Sequence, residues 1–242
     1  MRTNPPAAQG SARFRFDTSA GELLFMPDES ASHVGVKVLS SVPGNPAQGL
    51  PLVQGTYLLM DAATNSPVAL MDAAELSLIR TAAVTALAVE LLSPPTSPRI
   101  AIIGSGPQAV AHAEALAPLH PTSVRAVVRS PEAADRLVRV AEARNAVIEP
   151  AGAEAVIGAD VIVCVTSSPT PVVDDADVLD TAIVAAVGAH QPHTRELPAA
   201  LMGRAFVAVE SRGSALRDSG DVLIAQQELG RPLIDADLAE LV

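Results

Sequence analysis

Positive charge in this chain is almost all arginine: of sixteen Lys and Arg residues, only Lys37 is a lysine, and there is one cysteine, one tyrosine and no tryptophan. A single cysteine forms no internal disulfide, and Cys164, inside the apolar run DVIVCVTSS, reads as a small buried hydrophobe in a protein of the reducing cytoplasm. Aromatics at 2% and a net charge of −11 leave neither the basic face nor the stacking platforms on which nucleic-acid binders rely. The opening segment MRTNPPAAQGSARF has no apolar stretch of the export type. The apolar run TAAVTALAVELL falls short of the roughly 20 residues of a membrane span. What remains is a chain of 242 residues, long enough for one large or two modest domains, whose ligand is a small molecule.

Residues 13–72 hold short alternating runs (ARFRF, GELLFMP, HVGVKVLSS, TYLLMDA, PVALMDA) separated by turn residues, which predicts an antiparallel sheet closed by a hairpin at ATNS. From Ala73 to Ser93 the spacing becomes helical, with Leu76, Ile79, Ala83, Leu87 and Leu91 on one side, and SPPTSP ends it. Beyond that stop the pattern alternates strand and helix: RIAIIG, PQAVAHAEALAPL, SVRAVVR, PEAADRLVRVAEARN, then the apolar runs DVIVCV, AIVAAVG and AFVAVE. Such alternation predicts an α/β fold with a Rossmann-type, doubly wound parallel sheet. The expected division is a β-rich domain from residues 1–94 with 218–242, and a dinucleotide-binding domain over 95–217.

Within IIGSGPQA, Gly104, Gly106 and Ala109 form G-x-G-x-x-A directly after a strand and at the start of a helix. The first glycine permits a tight turn, the second lets backbone approach a pyrophosphate, and the small third residue lets helix and strand pack closely. At the end of the second strand, where an acid would bind the ribose hydroxyls of NAD, the sequence has Arg129 and Ser130. A guanidinium and a hydroxyl suit the extra phosphate of NADP(H), so NADPH is expected over NADH. Thr166, Ser167 and Ser168 follow the fourth strand, at the sheet edge where ligands of open α/β sheets bind, and are assigned to the nicotinamide-ribose side. His190 and His193 have no identifiable third ligand, so no metal is expected. His112 is read as a packing or surface residue, and no nucleophile elbow supports hydrolase chemistry.

The order of GVKV (35–38), PGNP (43–46), LMDAAT (59–64), LSLIRTAA (76–83), GSGPQA (104–109), VTSSPTPV (165–172), VGAHQPHTREL (187–197) and SGDV (219–222) resembles the ornithine cyclodeaminase / mu-crystallin family. The resemblance implies a β-rich domain for substrate binding and dimerisation beside a Rossmann domain. It implies that Lys37 and Arg80 hold the substrate carboxylate beside the nicotinamide, with Arg13 as a further substrate-facing arginine; Arg15 shares its strand face. It also adds Thr81, Gln108 and Gly188 to the cofactor set. A carboxylate clamp can use any cation, but a group that also donates a proton must be able to lose it, which arginine effectively cannot. This gives the lone lysine a reason.

One departure shapes the reaction expected. Ornithine cyclodeaminases carry an aspartate in the loop that here reads VGAHQPHTREL; this chain has His190, a candidate general acid near neutral pH. The expected activity is therefore an NAD(P)H-dependent reductase of an α-imino acid, with Lys37, Arg80 and His190 as catalytic residues. The alternatives are a redox-neutral ornithine cyclodeaminase and a non-catalytic cofactor binder of the mu-crystallin kind. A homodimer is expected, acting on a small amino or imino acid, with no nucleic-acid or membrane partner. Relative to the family both ends of the chain look short, which leaves an exposed sheet face or edge in need of a partner.

Overall fold

The computed structural model describes residues 13–242, which fall into two compact units, one ending at Leu78 and the other spanning Ile79–Val242. In the first unit, β1 (Phe14–Asp17), β2 (Glu22–Glu29), β3 (His33–Ser41), β4 (Val53–Asp61) and β5 (Pro67–Asp72) form one antiparallel meander in chain order. The hairpin expected at ATNS joins β4 to β5, with Asp61 accepting from the backbone of Ala63 and Thr64. Register sorts the two faces. Met26 pairs with Lys37 and Lys37 with Tyr57, so these side chains share one face with Arg15 and Asp28. Phe14, Phe16, Phe25, Val38, Leu58 and Leu70 take the other. Phe14, Phe16 and Leu70 are 60–72% exposed and Phe25, Val38 and Leu58 half-buried, so this face presents apolar surface.

Helix α1 (Ala73–Leu91) begins in the first unit and continues into the second. Its predicted stripe is not the buried one: Ile79, Ala83 and Leu87 are exposed, while Ala82, Thr85 and Val89 are buried. The helix is apolar on several sides, so periodicity alone did not select its inner face.

The second unit contains β6 (Arg99–Ile103), α2 (Pro107–Leu116), β7 (Ser123–Val127), α3 (Pro131–Arg144), β8 (Glu149–Ala151), β9 (Val161–Cys164) and β10 (Ile183–Ala186). The parallel sheet runs β10-β9-β6-β7-β8, so the chain order reverses at β6 and opens a crevice beyond the C-terminal ends of β6 and β9. Alternation along β6 feeds two cores: Ile100 and Ile102 pack with Val89, Ala109, Leu116 and Leu137, whereas Ala101 and Ile103 pack with Ile162, Leu201 and Val222. Helices therefore cover both faces, as predicted for a doubly wound sheet.

The rest of the chain comprises α4 (Ala199–Arg204), β11 (Val207–Val209), α5 (Arg212–Asp218), α6 (Gly220–Leu229), β12 (Ile234–Asp237) and α7 (Leu238–Leu241). The run AFVAVE forms β11, which pairs in parallel with β12 as a separate two-stranded sheet. Residues 218–242, expected with the β-rich domain, lie instead in the second unit, because Val222, Ala225 and Leu233 enter the same core as Ile162, Cys164 and Val207. The division likewise falls within α1 and not at SPPTSP, since Val89 is part of the core around Ile100.

Candidate active site

In the first unit, Lys37 projects from the middle of β3, and its Nζ donates to Ser77 Oγ at 3.3 Å. Gly35, two residues earlier on the same face, lies directly under Tyr57: a Cβ there would sit 1.8 Å from the Tyr57 hydroxyl. The glycine of GVK thus makes room for the chain's single tyrosine. Arg15 is committed to ion pairs with Asp17 and Glu22 along its own strands. Arg13 is exposed, one residue before β1.

In the second unit, Arg80 on α1 meets Glu210, just past β11, with 3.6 Å between Nη1 and Oε1. Thr81 lies one turn before Thr85 on the side of α1 that meets α2. Thr85 and His112 are both buried, and the Thr85 hydroxyl is 3.1 Å from His112 Nε2. His112 Nδ1 is 2.7 Å from the Gln108 carbonyl, an acceptor, so Nδ1 carries the proton and Nε2 accepts from the threonine. Burial pushes the His112 value down, so the ring is neutral at pH 7. The residue is a strut between α1 and the helix that opens at the glycine loop.

The glycine loop has the geometry that its sequence predicts. Gly104 has φ +137° and its Cβ position is closed off by Val165, so the turn demands glycine. Gly106 has φ −89°, which any residue adopts, but nothing lies within 4 Å of its Cβ position, so the space in front of the α2 N-terminus is open. Ala109 is fully buried and serves by its small size, not by contact with a ligand. Gln108 Oε1 is buried with no hydrogen-bond partner in the protein. An open approach to a helix N-terminus, with its free backbone N–H groups, fits a pyrophosphate group, whereas Gln108 Oε1, an acceptor, calls for a donor such as a ribose hydroxyl.

Ser130 is the N-cap of α3, its Oγ accepting from Ala133 N at 3.3 Å, and Arg129 before it is exposed. Sequence reasoning missed Arg136, one and a half turns into α3, which donates to Ser105 of the glycine loop at 3.2 Å. Arg129 and Ser130 thus follow β7 closely, and Arg136 ties α3 to the glycine loop.

At the ends of β9 and β10 the organising residue is one that the sequence did not single out. Glu196 is fully buried; Oε1 accepts from Thr166 N at 2.6 Å and Thr166 Oγ1 at 2.7 Å, and Oε2 accepts from Gly188 N at 2.6 Å. The Thr166 hydroxyl also accepts from Ser168 N at 3.2 Å, so it is engaged within the protein, while Ser167 is exposed. Gly188 touches the Thr166 carbonyl so closely that a Cβ would lie 1.8 Å from it. His190 Nδ1 is 2.8 Å from the Gly188 carbonyl; donating there, the exposed ring turns Nε2 outward.

Asp221, in the first turn of α6, reaches back to accept from Glu196 N at 2.7 Å and Leu197 N at 2.8 Å. Burial pushes its carboxyl up to about 6, opposed by those two N–H groups and reinforced by the nearby Glu196 charge. Cys164, buried beneath, is raised well above the usual thiol range by burial and then by the charges of Glu196 and Asp221, so it is inert. No helix among the described residues is long and apolar enough to cross a membrane.

The sequence model of the Ornithine cyclodeaminase/mu-crystallin family matches residues 5–238. Ketimine reductase mu-crystallin of Mus musculus is 36% identical over 225 residues, 92% of this chain and 70% of that protein. The structure of Thermococcus litoralis Δ1-pyrroline-2-carboxylate reductase in complex with NADH and L-proline superposes with a TM-score of 0.81 at 28% identity, covering 94% of this chain and 74% of that one. An archaeal alanine dehydrogenase dimer with bound NAD gives 0.83 at 28% identity, over 95% and 72% of the two chains.

Proposed function

Since this chain belongs to the ornithine cyclodeaminase/mu-crystallin family, we propose that it is an NAD(P)H-dependent reductase of α-imino acids, cyclic ones included. The observation that carries this reading is the glycine loop at the strand-order reversal, open in front of Gly106, in a chain whose single lysine is held in mid-strand by Ser77. Gly104, Gly106 and the backbone N–H of Gln108 would hold the pyrophosphate, with Thr166, Ser167, Ser168 and Gly188 toward the nicotinamide ribose and Thr81 beside them. When bound, the dinucleotide supplies the hydride that reduces the imine carbon.

Arg80 and Lys37 hold the substrate carboxylate, with Arg13 as a further cation, and Lys37 or His190 manages the proton. Arg80 already faces a carboxylate, that of Glu210, in a loose and exposed pair that a substrate displaces at small cost. Arg129 and Ser130, joined by Arg136, favour the additional phosphate of NADPH.

The loop at 187–197 argues for reduction over cyclodeamination. Its only carboxylate, Glu196, is buried and bonded on both oxygens, so none is presented to a substrate amine. Ornithine with oxidised cofactor tests the point: proline and ammonia released without net cofactor change would establish the cyclodeaminase instead.

The exposed apolar face of the antiparallel sheet is where a second copy of the chain docks, giving a homodimer. An inert buried cysteine and a fold without disulfides suit the reducing cytoplasm.

A further inference from the structure

Parallel strands β9 and β10 stay in register through Ala186 opposite Cys164, and Val187 N donates to Cys164 O at 2.9 Å. Just beyond, at Thr166 and Gly188, the ladder has ended but the two segments still touch through the Thr166 carbonyl, and the carboxylate of Glu196 bridges this fork. Three donors converge on it: two backbone N–H groups, one from each chain, and one hydroxyl. The backbone of Glu196 is held equally firmly, its N by Asp221 Oδ1 and its carbonyl by Val172 N at 2.8 Å. We infer that Glu196 is a positioning residue that fixes the strand ends carrying Thr166–Ser168 and Gly188 at the spacing required by the nicotinamide half of the dinucleotide. This rests on the dinucleotide-binding reading above and goes beyond it, because Glu196 has no exposed surface with which to meet a ligand and would act only through the residues it holds.

The chemistry of the fork requires a group that only accepts. A carboxylate satisfies all three donors with charge-assisted bonds. An amide of the same shape cannot: with its NH2 toward Gly188 it meets one N–H, and flipped it meets that of Thr166. Either way the fork opens by about the difference between a bond and a donor–donor contact. The fold below does not depend on the fork, because β9 and β10 are held by their own ladder and by the cores on both sheet faces.

Equilibrium binding separates positioning from general support. The full chain and its Glu196→Gln variant are titrated with NADPH and NADH, and with ADP-ribose and its 2′-phosphate, which lack nicotinamide. The expected result is a loss of about 10–100-fold for the complete dinucleotide in the variant, with the fragments bound as in the parent to within about twofold. If the variant loses dinucleotide and fragment equally, or neither, the inference is overturned while the dinucleotide reading stands. If the parent itself binds no dinucleotide, both fall. Should Glu196→Gln not fold, Glu196→Asp keeps the charge but is one methylene too short to reach Thr166 and Gly188 together; a loss confined to the complete dinucleotide supports the inference, and unchanged affinity overturns it.

Discussion

Arg80 Nη1 and Glu210 Oε1 lie 3.6 Å apart, with the two side chains 44% and 62% exposed. An exposed pair of this kind contributes about 0–1 kcal/mol, yet it places a carboxylate of the protein on the cation proposed to bind the carboxylate of the substrate. Glu210→Gln should therefore lower KM for an imino acid by about two- to fivefold with kcat little changed, whereas Arg80→Ala should raise KM at least tenfold. Steady-state kinetics on the two variants check both directions.

Gly106 and Gly188 should respond to alanine in opposite ways. The Gly106 Cβ position is open and its backbone suits any residue, so Gly106→Ala should keep its Tm to within about 2 °C but weaken dinucleotide binding about tenfold or more. A Cβ on Gly188 would lie 1.8 Å from the Thr166 carbonyl and 2.8 Å from Glu196 Oε1, so Gly188→Ala should lower Tm as well as binding. Thermal unfolding with and without cofactor distinguishes the two.

Asp221 makes stability fall as pH rises. Its folded value near 6 lies above the ordinary 3.8, so between those values the folded chain holds a proton that the unfolded chain has lost, and ionisation costs about 3 kcal/mol of stability. The cost is absent below about pH 4, grows through pH 6 and is constant above. Asp221→Asn keeps an oxygen to accept from Glu196 N and Leu197 N but does not titrate. The Tm of the variant minus that of the parent should rise between pH 4 and 7 and then level off. A difference that does not vary with pH would remove Asp221 from the account.

Cofactor choice should follow the cations at the end of β7. Arg129→Ala and Arg136→Ala should each weaken NADPH by about tenfold and leave NADH within about twofold, since only the former carries the extra phosphate. Parallel titrations measure this, and equal losses for both cofactors would contradict it.

Much of the fold was legible because its signals are local. The short apolar strands, the glycine spacing directly after RIAII and the helix starts at Pro107 and Pro131 are read within a few residues, and they predict the parallel sheet and its crevice. What was missed depends on distance along the chain. Glu196 meets Thr166 across 30 residues and Asp221 across 25, and in sequence it looks like a solvated charge in a polar loop. The His112 tie to Thr85 spans 27 residues. The placement of residues 218–242 was settled by Val222, Ala225 and Leu233, whose apolar character shows that they are buried but not against which sheet.

The most direct test of the reductase assignment is the near-ultraviolet absorbance of NADPH mixed with the protein and Δ1-pyrroline-2-carboxylate or another cyclic imino acid, with NADH in parallel. The expected result is a protein-dependent fall in absorbance, faster with NADPH, that Lys37→Ala abolishes while cofactor binding persists. Unchanged absorbance with both cofactors across a set of cyclic and N-substituted imino acids would contradict it.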